Sequence, residues 1–141
     1  VDVITALFLL HYSPTKEPLL KVCKNLYKGL ARDGRFVTVQ PNPAFPIMRR
    51  KKYQITSTIK YPLQEGALRI VTYWKNDKEL CSFSNYYWKK ETYKKALLAA
   101  GFKSVRFYKP IVSPQGYAKF DRRFWHEYSQ EPHIIGIKCQ K

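Results

Sequence analysis

Apolar positions recur along the chain with two different periods, and the change of period marks its elements. The stretch "VDVITALFLL" is apolar at Val1, Val3 and Ile4 and again from Ala6 to Leu10. Such near-continuous apolar character predicts a strand of the parallel-sheet type over Val1–Ala6. Ser13-Pro14-Thr15 then interrupts the run, with Thr15 placed to cap a helix. Leu19, Leu20, Cys23, Leu26, Tyr27 and Leu30 follow at helical spacing, with lysines opposite. Gly34 in "LARDGRF" closes that helix and leads into the β-branched strand "RFVTVQ". Strand, helix and strand with short connections predict a parallel pair joined by a right-handed crossover.

The rhythm changes at "QPNPAFP", a proline-rich loop that closes the second strand at its carboxyl end. Three segments of strand composition follow, over 53–61, 67–74 and 80–88, and their connections hold Glu65-Gly66 and Asn76-Asp77. This is the turn chemistry of an antiparallel meander. A helix over Glu91–Ala100 comes next, with Gly101 at its end and Phe102 set for the contact beyond it. "KSVRFYKPIV" predicts a strand, Ser113-Pro114 opens a helical connection through "RRFWHEY", and "HIIGIKCQK" predicts the last strand. The fold class expected is α/β. Residues 1–42 and 89–141 form the core and 43–88 an inserted small antiparallel sheet.

Composition narrows this picture. At 141 residues, 45% hydrophobic and 16% aromatic, the chain can bury a core as one domain. No apolar run approaches the ~18 residues of a membrane span. "VDVITALFLLHY" lacks the basic start and small-residue cleavage site of a signal peptide. A soluble, cytoplasmic protein with no membrane partner is the expectation. Cys23, Cys81 and Cys139 are too scattered for a disulfide framework or a zinc site. The 26 Lys and Arg against 10 Asp and Glu give +16, a field that favours acidic partners. The run "MRRKKY" is either a polyanion-binding stripe or a set of solvated side chains.

Ligands of open α/β sheets bind at the carboxyl ends of the parallel strands, which here are "TALFLLHY" and "QPNP". At this point the chain resembles a known family. "DVITALFLLHY", the helix, "LARDGRFVTVQPNP", the antiparallel insertion, "NYYWKKETYKKALLAAGFKSVRFYKP" and "PHIIGIKCQK" together look like the carboxyl-terminal half of a class I S-adenosylmethionine-dependent methyltransferase. Two signatures carry the likeness: Asp2, Ile4 and Leu10-His11 around the first strand, and "AL..AGF..V" at Ala96–Val105.

The resemblance implies the last four strands of a Rossmann-like methyltransferase sheet, the final one antiparallel, with S-adenosyl-L-methionine as cofactor. Ala6 and Leu7 would line its methionine and sulfonium region, and His11 and Tyr12 would sit near the transferred methyl as the catalytic pair. A small-molecule methyl acceptor is implied, because the insertion would cover the crevice as a lid. Asn42, Tyr53, Tyr86, Tyr87 and Trp88 would contact that acceptor, aromatic faces suiting a cation. The family's glycine-rich cofactor loop has no counterpart, since the six glycines are never closer than five residues apart. The chain therefore reads as a fragment whose first strand has lost its neighbours, a free edge open to self-association. As an isolated piece it is expected to hold the cofactor weakly or not at all, and to be inactive.

Each residue also has a plainer reading. A histidine after an apolar strand is often a hydrogen-bonded structural residue, and Tyr12 packs as readily as it reacts. Asn42 between prolines is ordinary turn chemistry, and Tyr86, Tyr87 and Trp88 are sheet aromatics. His126-Glu127 and His133 lack metal-ligand spacing, and no G-x-S-x-G, HExxH or P-loop occurs. The competing function is a non-catalytic basic α/β module that holds RNA or another polyanion through charge and aromatics.

Overall fold

A computed structural model describes residues 1–141. The elements are β1 (Val3–Thr5), α1 (Lys16–Gly29), β2 (Arg35–Pro41), β3 (Ile55–Ile59), β4 (Leu68–Lys75), β5 (Lys78–Tyr86), α2 (Lys90–Ala100), β6 (Ser104–Tyr108), α3 (Pro114–Lys119), α4 (Arg122–Gln130) and β7 (Ile134–Gln140). They form two sheets, one ordered β1-β2-β7-β6 and the other β3-β4-β5. β1 and β2 are parallel, while β7 runs antiparallel to both β2 and β6. β1 pairs on one side alone, so its outer edge is free.

Strand β1 is shorter than the apolar run predicts. Beyond Thr5 the hydrogen bonds to β2 continue from Ala6 and Phe8, but Phe8 turns the chain at φ 54° and Leu7 stands exposed. A strand with one partner has nothing on its far side to keep the run extended. A single 3₁₀ turn, Leu10–Tyr12, then leads down into α1. Thr15 does precede the helix, yet its hydroxyl bonds the Glu17 carboxylate at 2.5 Å instead of a backbone N–H.

The main core lies between α1, α2 and the four-stranded sheet. Leu19 and Cys23 from α1, Tyr93 and Leu97 from α2, and Phe36, Ile137 and Cys139 from β2 and β7 meet there with at most 1% exposure. α2 ends as its sequence predicts. Gly101 takes φ +117°, its N–H bonds Leu98 O and that of Phe102 bonds Leu97 O, the pair of bonds that defines a Schellman cap. A β-carbon at Gly101 would also come within 2.8 Å of the Tyr27 ring. Both chain ends converge on the carboxyl end of α1. The Val1 amine donates to Gly29 O, and the Lys141 ammonium donates to the carbonyls of Tyr27 and Leu30.

The three-stranded sheet turns at Asn76 and Asp77, both at positive φ, a two-residue turn matched to the twist of a hairpin. Its inner face carries Ile55, Ser57 and Ile59 on β3, Arg69 and Val71 on β4, and Phe83 and Asn85 on β5. Arg50 and Lys52, from the basic run before β3, pair with Glu127 and Glu131 around α4 at 2.5–3.3 Å. Half of the sharpest charge cluster is therefore spent on holding the insertion to α4. No helix is long and apolar enough to cross a membrane.

Candidate functional site at the carboxyl ends of the parallel strands

A cavity of about 190 Å³ opens where β1 and β2 end and the inner face of the three-stranded sheet lies over them. Phe8, His11 and Tyr12 come from the turn after β1, and Pro41 ends β2. Ile55, Arg69, Val71, Phe83 and Asn85 form the roof, and His133 and Ile134 enter at the start of β7. The antiparallel pairing Pro41↔Ile134 is what delivers His133 to this end of the sheet.

His11 is 1% exposed and its Nδ1 lies 2.8 Å from Gln40 Oε1. The Gln40 amide nitrogen donates to the Thr38 hydroxyl, which donates to the Ala6 carbonyl. A carbonyl can only accept, so the polarity of this chain is fixed from its far end. Gln40 must present its oxygen to His11, His11 carries its proton on Nδ1, and Nε2 keeps its lone pair. No protein group bonds Nε2. Burial, opposed by the Gln40 bond and reinforced by the nearby Arg69 charge, pushes the His11 pKa down to about 4. The imidazole is neutral throughout the physiological range.

Above it sits Arg69, 3% exposed, paired across the hairpin with Asn85, 1% exposed. Arg69 Nε and Nη1, both polar ends of the Asn85 amide, and His133 Nδ1 are buried without a hydrogen-bond partner. Burial also lowers the Arg69 pKa to about 10, which leaves it charged at neutral pH, and pushes His133 down to about 4.

Of the residues singled out from sequence, His11 and Tyr12 meet in this cavity, their rings 4.5 Å apart. Ala6 and Leu7 lie at the adjoining tip of β1, Ala6 half-buried and Leu7 exposed. The others lie elsewhere. Asn42 donates its amide nitrogen to Pro132 O, in the connection from α4 to β7, and its Oδ1 accepts from Ala44 N in its own loop. Tyr53 packs under α4, its hydroxyl donating to Phe124 O. Trp88 is a core residue whose indole N–H reaches Ser13 O. Tyr86 packs against the main core and Tyr87 lines a separate open cleft with Asn42. Sequence reasoning passed over Arg69, Asn85, Phe83 and Gln40, and set His133 aside for its lack of metal spacing.

No protein family's sequence profile matches the chain, and no curated protein sequence matches it. Solved structures do. An S-adenosylmethionine-dependent methyltransferase from Mesorhizobium loti superposes with a TM-score of 0.61 at 13% identity, over 99% of this chain and 62% of its own. A putative one from Listeria monocytogenes gives 0.62 at 19% identity, over 99% and 61%. One from Clostridium acetobutylicum gives 0.54 at 12% identity, over 99% and 57%. The fold is that of part of a methyltransferase domain. The chain spans about three-fifths of the length of these methyltransferases. Within that Rossmann-like methyltransferase fold, the cavity occupies the position that open α/β sheets reserve for ligands.

Proposed function

We propose that this chain forms the acceptor side of an S-adenosylmethionine-dependent methyltransferase acting on a small molecule. The observation that supports it best is His11, buried at the end of a parallel strand with its tautomer fixed and Nε2 free beside a roofed cavity. Residues fit the methionine end of the donor at the tip of β1. Leu7, Phe8, Leu9 and Tyr12 are exposed there by 67%, 38%, 38% and 49%, an apolar shelf next to a free strand edge. Ala6 and Leu7 would line that shelf, and the donor, when bound, supplies an electrophilic methyl on a sulfonium.

The chain's own residues then do three things. The three-stranded sheet covers the cavity and keeps water from the acceptor. Phe8, Tyr12 and Phe83 hold its body in place. His11 Nε2 receives the acceptor's proton. An imidazole of pKa about 4 is a weak base at neutral pH, so it suits a nitrogen or oxygen acceptor that becomes strongly acidic once alkylated.

The test uses ¹⁵N-labelled protein titrated with S-adenosylhomocysteine to millimolar concentration. Amide shifts confined to Ala6–Tyr12 and the end of β2, with weak saturation, are expected. Shifts clustered elsewhere, or no shifts at all, would overturn the reading. The competing polyanion-binding module finds no support in the geometry, because Arg50 and Lys52 are paired with α4.

A further inference from the structure

The roof of the cavity contains a cation with nothing to balance it. Arg69 is 3% exposed and lines the cavity, and its Nε and Nη1 have no protein acceptor. None of the chain's carboxylates lines the cavity. Glu65, the acid next before it in sequence, is engaged with Lys16, Thr92 and the Lys89 backbone. Beside Arg69, Asn85 is 1% exposed with both amide ends unpaired, and His133 Nδ1 is unpaired as well. Buried charges in proteins are paired or hydrogen-bonded almost without exception. Five unsatisfied polar atoms on three residues lie around this one cavity, and Arg69 is the residue among them that carries a charge.

We infer that the acceptor is a small, ring-sized carboxylic acid whose carboxylate pairs with Arg69. The identification of this ligand as the methyl acceptor rests on the function proposed above; the grip itself does not.

Three features select this class. One guanidinium with no second cation matches a single negative charge. A phosphate dianion would leave one charge uncompensated in a dry site. The remaining wall is apolar and largely aromatic, with Phe8, Tyr73, Phe83 and Val71, which fits a flat hydrocarbon body. The volume of about 190 Å³ is close to the ~150 Å³ that holds a benzene ring in an engineered apolar cavity, so one ring with short substituents fills it. A carboxylate held by Arg69 is also stripped of nucleophilicity. The atom to be methylated is then the substituent at the far end of the ring, toward Tyr12 and His11.

The experiment is calorimetric and chemical-shift titration of residues 1–141 with 4-hydroxybenzoate, 4-hydroxybenzyl alcohol and 4-hydroxyphenyl phosphate, with no methyl donor present. The carboxylate is expected to bind at least about tenfold more tightly than the alcohol and more tightly than the phosphate, as a charge-assisted pair requires. Its shifts should map to Arg69, Asn85 and His133. Arg69→Met should abolish the preference for the carboxylate while leaving alcohol binding within about twofold, which also shows that the variant is folded. Equal binding of carboxylate and alcohol, a preference for the phosphate, or an unchanged preference in Arg69→Met would each overturn the inference. Because no donor is used, carboxylate binding without any response to S-adenosylhomocysteine would sink the methyl-transfer reading alone, and the reverse result would sink the carboxylate alone.

Discussion

In the four-stranded sheet, the polar side chains that are fully buried, Thr38 and Gln40, form one hydrogen-bonded file from Ala6 to His11. On the inner face of the three-stranded sheet, Ser57 is bonded to Pro46 and Met48, but Arg69 and Asn85 are not bonded at all. The apolar content differs as well. Twelve buried residues cluster around the first sheet, whereas Met48, Ile55 and Val71 make up the cluster of the second. One region has its polar groups satisfied and its apolar groups packed. The other carries unpaired polarity over a small hydrophobic base. The first reads as scaffold, and the second gives up stability to hold something.

Breaking each cluster in turn tests that contrast most forcefully. Phe36→Ala should cost about 3–5 kcal/mol in urea unfolding, since a fully buried aromatic leaves a large cavity among well-packed neighbours. Ile55→Ala, in the three-residue cluster, should fall near 2 kcal/mol, the low end for such truncations. Equal costs would mean the two sheets share one energetic core.

Acid should strike the shared cavity next. His11 and His133 both titrate near 4 in the folded chain against 6.5 when free. The unfolded state therefore binds more protons between those values, and stability falls as pH drops from about 6.5 toward 4. Above pH 6.5 their contribution is complete and the profile should be flat. A loss on the order of 3 kcal/mol is expected from each histidine, roughly twice that from the pair. His11→Gln combined with His133→Gln should remove that part of the slope, and an unaltered profile would place the acid sensitivity elsewhere.

The smallest effect carries the most information about the roof. Arg69→Met should raise unfolding free energy by roughly 1–2 kcal/mol, because replacing buried charge by packed apolar groups is commonly stabilising. A decrease measured by thermal melting would show that Arg69 already has the partners it needs inside the fold.

How far this arrangement was legible in sequence follows from which signals are local. The β1–α1–β2 unit, the Gly101 cap and the Asn76-Asp77 hairpin each depend on residues within a few positions, so periodicity and turn chemistry located them. Fold class followed from the same unit, whereas the choice of His11 and Tyr12 came with the methyltransferase resemblance. The roof was hidden for a physical reason. In "ALRIVTYW", Leu68 and Ile70 suggest the inward face and Arg69 the solvent face, yet the register places Arg69 with Val71 inside and leaves Ile70 47% exposed. Asn85 and Phe83, opposite them on β5, keep the same phase. Matching polar insertions on two adjacent strands was the one available clue. Similarly, His133 reaches the cavity through strand pairing over a long separation, which spacing alone does not encode.

The convergence of Val1 and Lys141 on the carboxyl end of α1 has an engineering consequence. Ends that meet at one corner can be joined by a brief linker, and the ring so closed can be reopened at an exposed loop such as Leu63-Gln64. A gene reordered in that way would begin with β4 and β5, and the hairpin bearing Arg69 would become a detachable leading arm.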